Sequence, residues 1–158
     1  MTGDATDGLA MCAAIDATGI AIKNGVAHVI GAGGGAGTAI VDALCERGIS
    51  ELVISETNED RAKYVETLLA QFWPNVIVSK STKPGAILIN ATTLGKFPTD
   101  YLSFNEQDIK CAALICDVVT LEKPTGLIAF SEATGKATVS GQKMGQCQLD
   151  VQLEFLGC

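Results

Sequence analysis

Residues 28–40 read HVIGAGGGAGTAI. A short apolar run enters a stretch with glycine at positions 31, 33, 34, 35 and 37, and the residues beyond it have helical spacing. Gly31, Ala32, Gly33, Gly34, Gly35 and Ala36 satisfy G-x-G-x-x-A. Each small residue has a physical task in such a loop. Gly31 makes the tight turn out of a strand, Gly33 lets backbone approach a pyrophosphate, and Ala36 permits close packing of helix on strand. The helix N-terminus adds unpaired N–H groups and a dipole that favours anions. A glycine-rich turn alone is a weak signal; it gains weight from a strand before it, a helix after it and an acidic residue ending the next strand.

All three are present. VAHVI (26–30) is a strand candidate, residues 35–47 read as a helix closed by Gly48, and ELVIS (51–55) is a second strand followed by Glu56. A carboxylate at that place can accept hydrogen bonds from both ribose hydroxyls of NAD and repels a 2′-phosphate. Arg61 and Lys63 lie downstream on what reads as a solvated helix face, where they could offset that repulsion. The expected cofactor is therefore NAD, with NADP as the second option.

Working outward, the alternation of strand and helix continues. A helix is expected over 7–17 and another from an Asn58 N-cap through Gln71. NVIVS (75–79), AILIN (86–90), CAALICDVV (111–119) and KATVS (136–140) supply the third to sixth strands. Helices are expected over 125–135 and 142–156. This order predicts an α/β domain over 1–158: a Rossmann-type doubly wound, mostly parallel six-stranded sheet with helices on both faces.

Composition agrees. The chain of 158 residues is 47% hydrophobic and 18% charged, with mean hydropathy +0.30. Parallel strands buried on both faces account for so apolar a composition. The charge-free stretch around the glycines, from His28 to Val41, is too short and too glycine-rich for a bilayer span, and no signal peptide is read at the start. A net charge of −7 argues against a nucleic-acid partner. The six cysteines (12, 45, 111, 116, 147 and 158) form no C-x-x-C pair, and with one histidine no metal site is expected. Most lie in apolar runs and read as buried reduced thiols, as in a cytoplasmic protein. His28, mid-strand, reads as structural, not as a catalytic base.

Several further stretches line up with one family. GDATDG (3–8), GAGGG (31–35), INATTLG (89–95), CDVV (116–119) and GQKMGQCQ (141–148) occur in order along the chain. Together they resemble the cofactor-binding half of the shikimate and quinate/shikimate dehydrogenases of aromatic amino acid biosynthesis. The resemblance implies roles for individual residues. Asp7 would bind a substrate hydroxyl and partner a lysine in proton transfer; read from the sequence, it could equally be a carboxylate favouring a helix N-terminus. Asn90, Ala91 and Thr92 would form the loop beside the cofactor. Val118 and Gly141 would line the nicotinamide pocket. Met144 would pack near the ring, or simply fill the core. Gln148 would contact substrate, although helical spacing alone makes it a polar surface residue.

This sequence departs from the family pattern at several points. Ala5, Thr93 and Gly145 replace the usual Asn, Pro and Leu, Thr120 replaces a tyrosine, and Lys96 stands where methionine is common. Where family members grip a 2′-phosphate with Asn-Arg-Thr, this chain has Ser55, Glu56 and Thr57, in keeping with NAD. The resemblance also implies an N-terminal substrate domain carrying the catalytic lysine, expected outside residues 1–158. The chain alone is then expected to bind dinucleotide and turn nothing over. Its expected partners are that substrate domain or a second copy of itself. The alternative is a free-standing NAD(P)-binding or sensing module without catalysis.

Overall fold

The computed structural model describes residues 2–97 and 99–157, with side chains from Thr6 onward. Cys158 and the side chains at positions 3–5, part of the resemblance at GDATDG, lie outside the described residues. The elements in order are α1 (Thr2–Ala17), β1 (Val26–Ile30), α2 (Gly35–Glu46), β2 (Glu51–Ser55), α3 (Glu59–Phe72), β3 (Ile77–Ser79), β4 (Ile87–Asn90), α4 (Glu106–Cys111), β5 (Leu114–Asp117), α5 (Gly126–Ala133), β6 (Thr138–Val139) and α6 (Gly141–Phe155). The six strands form one sheet in the order β3-β2-β1-β4-β5-β6, and every pairing is parallel. This is the doubly wound Rossmann order, which reverses between β1 and β4.

The strands form where β-branched residues cluster, and burial follows the sheet. All residues of β4 and β5 are buried, as central strands covered on both faces require. Alternate side chains part to opposite faces. Ala27, Val29, Leu52, Ile87, Ile89, Leu114 and Cys116 join α1, α2, α3 and α6 in the larger core. Leu88 and Ile115 join Phe104, Ile109 of α4 and Leu127 and Ile128 of α5 in the smaller one. Helices therefore cover both faces, as expected.

Local chemistry sets the ends. Gly48, at φ +88°, ends α2: its N–H donates to Cys45 O, and that of Ile49 to Leu44 O, a Schellman motif only an easily left-handed residue closes well. Asn58 caps α3 by accepting from Arg61 N at 3.0 Å.

Several boundaries differ from expectation. The first helix begins at Thr2, five residues before position 7. The apolar run 111–119 is not all strand: Cys111 ends the unanticipated helix α4, and β5 begins at Leu114. The signal for α4 was Asn105, whose side chain accepts from Asp108 N at 2.7 Å ahead of an acidic first turn. The third and sixth strands are also shorter, at three and two residues.

Residues 80–86 carry the chain from β3 to β4 across β2 and β1 with no helix. Polar contacts anchor this crossover. Lys83 pairs with the buried Glu51 of β2 at 2.8 Å, holding that carboxyl below its usual range with help from Ser79. Thr82 meets His28 Nδ1 at 2.6 Å, while His28 Nε2 contacts Ser55 Oγ at 2.7 Å. With both ring nitrogens engaged and Phe104 edge-on at 5.1 Å, His28 is a structural residue of the central sheet. No described helix is long and apolar enough to cross a membrane.

Candidate functional site

The strand registers bring the candidate residues to one level. Ile30 of β1 pairs with Ser55 of β2 and with Asn90 of β4, and Asn90 pairs with Asp117 of β5. The loops that leave these four positions open side by side at the carboxyl ends of the strands, where ligands gather in open α/β sheets.

The glycine loop is built by close approach. Gly31 has φ +80°, and a Cβ there would come 2.7 Å from Thr92 Cγ2 and 2.9 Å from Ala91 O. The turn out of β1 thus touches the loop after β4, joining two candidate segments. A Cβ on Gly33 would lie 2.5 Å from Arg61 Cβ and 2.8 Å from Glu56 Oε1. Gly33 is therefore also needed for the first turn of α3 to close on the loop. The packing task expected of Ala36 belongs to the next residue. Gly37 is buried while Ala36 is partly exposed, and a Cβ on Gly37 would collide with the Gly31 carbonyl oxygen. Helix and strand cross one position later than the bare G-x-G-x-x-A pattern suggests.

Glu56 reaches back to the loop. Its Oε1 accepts from Gly33 N at 3.0 Å and its Oε2 from Asn58 N at 3.2 Å. Thr57 follows it in the turn into α3. Gly34, the N-cap of α2, offers no side chain to the helix, whereas Asn58, Asn105, Thr125 and Ser140 each cap their helices with an accepting oxygen. The first N–H groups of α2 are thereby left to another acceptor, and an anion satisfies them best.

On the other side of the crevice lies a buried polar cluster. Asn90 and Asp117 are both 0% exposed. Asn90 Nδ2 donates to Asp117 Oδ1 at 3.1 Å and to Leu94 O at 2.9 Å, and Asn90 Oδ1 accepts from Thr92 Oγ1 at 2.6 Å. Burial pushes the Asp117 carboxyl above the usual range, against the pull of hydrogen bonds from Thr125, Val119 and Asn90. Sequence reading placed Asn90 here and missed Asp117 and Thr125; the available signal was a lone carboxylate closing an apolar run.

The remaining candidates fall near this end. A Cβ on Gly141, the first residue of α6, would collide with the Val119 carbonyl oxygen, so this helix begins against the loop after β5. Val118 packs half-buried against the larger core, and Met144 is 5% exposed within it. Gln148 Nε2 donates to Asp7 Oδ1 at 2.8 Å and to Thr6 Oγ1 at 3.1 Å, joining α6 to α1. Asp7 and Gln148, separated by almost the whole chain, are direct partners. Gly8 beside them is packed on Ala39 in α2.

No protein-family model matches the chain. The shikimate dehydrogenase (NADP(+)) of Gluconobacter oxydans is 33% identical over 150 residues, 90% of this chain and 51% of that protein. That of Rubrobacter xylanophilus is 32% identical over 151 residues, 91% of this chain and 53% of that protein. A solved shikimate 5-dehydrogenase-like protein superposes with a TM-score of 0.76 at 28% identity, covering 95% of this chain and 55% of its own. The fold also matches a Listeria monocytogenes shikimate 5-dehydrogenase, solved with shikimate and NAD, with a TM-score of 0.75 at 22% identity over 90% of this chain and 54% of that one. The chain spans about half the length of the curated relatives it matches, their C-terminal half.

Proposed function

We propose that residues 1–158 act as the dinucleotide-binding half of a shikimate dehydrogenase-like oxidoreductase. The observation that carries this reading is the junction of Gly33 and Glu56 beside the uncapped start of α2. The start of α2 offers N–H groups without side-chain acceptors, and the adjoining end of β2 holds a fixed carboxylate. The former suits a pyrophosphate and the latter a ribose diol. The shikimate dehydrogenase relatives support a nicotinamide dinucleotide as the ligand.

Within that reading, NAD is the preferred cofactor. A 2′-phosphate would have to approach the Glu56 carboxylate, which two backbone N–H groups already hold in place. The curated relatives are named for NADP(+), so a preference for NAD would set this chain apart from them.

When bound, the dinucleotide would supply hydride exchange at its nicotinamide ring. The chain's own residues orient and enclose it. Gly31, Ala32, Gly33, Gly34 and Gly35 would hold the phosphates, and Glu56 and Thr57 the adenosine ribose. Asn90, Ala91, Thr92, Val118 and Gly141 would border the nicotinamide, with Met144 supporting them from the core. Asp7 would accept a hydrogen bond from a substrate hydroxyl and assist a lysine outside this chain. Gln148, already donating to Asp7, would orient that carboxylate and contact the substrate. The substrate class is a hydroxylated ring acid of the shikimate or quinate kind, and the domain that holds its other side is the proposed partner.

Calorimetric titration of the chain with NAD and with NADP tests the reading. The expected result is binding of both with NAD the tighter; no heat from either overturns it.

A further inference from the structure

Asp117 ends β5 with a fully buried carboxylate, and all its described hydrogen bonds come from the segments around the crevice. Oδ1 accepts from Val119 N at 3.0 Å and from Asn90 Nδ2 at 3.1 Å, and Oδ2 accepts from Thr125 Oγ1 at 2.7 Å. Val119 belongs to the loop after β5. Thr125, itself 4% exposed, ends that loop and caps α5 by accepting from Ile128 N at 3.3 Å. Asn90 passes the linkage across to the loop after β4. Its amide holds Leu94 O and Thr92 Oγ1, and Thr92 Oγ1 in turn accepts from Leu94 N at 3.0 Å. One carboxylate–amide pair therefore fixes both loops and the start of α5.

A strand end needs no such group for stability alone. Replacing buried charge by well-packed apolar residues is often neutral or stabilising. A carboxylate facing three donors does offer direction, because each bond fixes a particular atom of a particular loop. The arrangement is also confined to one half of the crevice. The Gly33–Glu56 junction lies at β1 and β2, on the far side of the strand-order reversal from β4 and β5.

We propose that Asp117 is a positioning residue that, through Asn90 and Thr125, holds the loops after β4 and β5 in the one arrangement that receives the nicotinamide half of the dinucleotide. This rests on the proposed dinucleotide function. It goes further in assigning the two halves of the ligand to separately controlled parts of the site. Loss of the Asp117 bonds loosens the nicotinamide side and leaves the adenosine side intact.

The experiment compares NAD, NADP and ADP-ribose binding to the full chain and its Asp117→Asn variant by calorimetry, with a urea melt of each protein. In Asp117→Asn the new NH2 group fits only towards Thr125, whose hydroxyl must then turn to accept, so the charged bond is lost. That bond is of the charge-assisted kind, and the expected loss in NAD affinity is about tenfold, with ADP-ribose affinity changed less than about twofold. Thr125→Val should reproduce the selective loss and Thr125→Ser should restore it, and this pair decides the matter if Asp117→Asn does not fold. Equal losses for NAD and ADP-ribose, no loss for either, or a wild-type chain that binds ADP-ribose as tightly as NAD would overturn the positioning role. A wild-type chain that binds none of the three ligands overturns the dinucleotide reading itself, a result visible before any variant is made.

Discussion

Glu56 accepts a hydrogen bond from Gly33 N at 3.0 Å, so the residue after β2 closes onto the loop after β1. The same carboxylate is the group proposed to meet the adenosine ribose. Loop shape and cofactor choice therefore converge on one side chain. Glu56→Arg removes the acceptor and places a cation where a 2′-phosphate would lie. The expected outcome is a shift of the NAD-to-NADP affinity ratio towards NADP by about tenfold or more, the scale of a charged hydrogen bond. Paired calorimetric titrations measure it, and an unchanged ratio removes Glu56 from cofactor selection.

Gly37 and Gly34 separate packing from loop chemistry. A Cβ on Gly37 meets the Gly31 carbonyl oxygen, which is backbone and cannot turn aside, whereas a Cβ on Gly34 lies 3.5 Å from the same oxygen. Gly37→Ala should cost about 3 kcal/mol or more, at the upper end for overpacking, and Gly34→Ala less than about 1 kcal/mol. Urea unfolding midpoints decide between them; equal effects would place the close helix–strand contact elsewhere.

His28 gives stability a pH dependence. Burial holds its pKa below 6.5, with Asp108 pulling weakly the other way. Between that lowered value and 6.5 the unfolded chain takes up a proton that the folded chain refuses. The contribution of His28 is thus complete above 6.5 and declines as pH falls towards the folded value. Unfolding midpoints should drop from pH 7.5 to 5.5, and His28→Gln should flatten that part of the profile. A profile as steep in the variant as in the wild type would assign the dependence to other groups.

Asp117 runs in the opposite sense at lower pH. Its carboxyl is raised above 3.8 by burial, so between 3.8 and its folded value the native state holds the extra proton. Its contribution to stability should therefore decrease as pH rises through that window. Asp117→Asn, compared with wild type by urea melts from pH 3.5 to 6, should remove this component; identical slopes would show that Asp117 ionises alike in both states.

The thiols should sort by burial. Desolvation pushes Cys12 up to about 11 and Cys45 up to about 12, and raises Cys116 as well. Thiolate is the reactive form, so these three should resist iodoacetamide at pH 8 until urea unfolds the chain. Cys111 is exposed and should label in the native state. Peptide mapping by mass spectrometry reads the pattern, and rapid native labelling of Cys116 would contradict the packing of β5.

Much of the fold was legible because single residues mark their own geometry. VAHVI and ELVIS are strands over the expected residues, Gly48 stops α2, and Asn58 starts α3. These features depend on side chains within a few positions of the backbone they control. The apolar run at 111–119 was less legible, because periodicity cannot separate the end of a buried helix from the start of a buried strand. The placement of Glu56 beside the glycine loop could be expected from the strand–loop–helix pattern. The dependence of Gly33 on Arg61 could not, since a neighbour's approach is not written in local sequence.

The order of the six strands along the chain, the glycine turn, the acidic end of β2 and the resemblance that links them are all readable from local sequence. Tertiary structure alone decided which distant groups became partners: Asn90 with Asp117, Gln148 with Asp7, and Gly37 with the Gly31 carbonyl. The reason is physical. Local spacing fixes what a residue can do along its own strand or helix, but a buried carboxylate or a missing Cβ acquires meaning only from the atoms that packing brings against it.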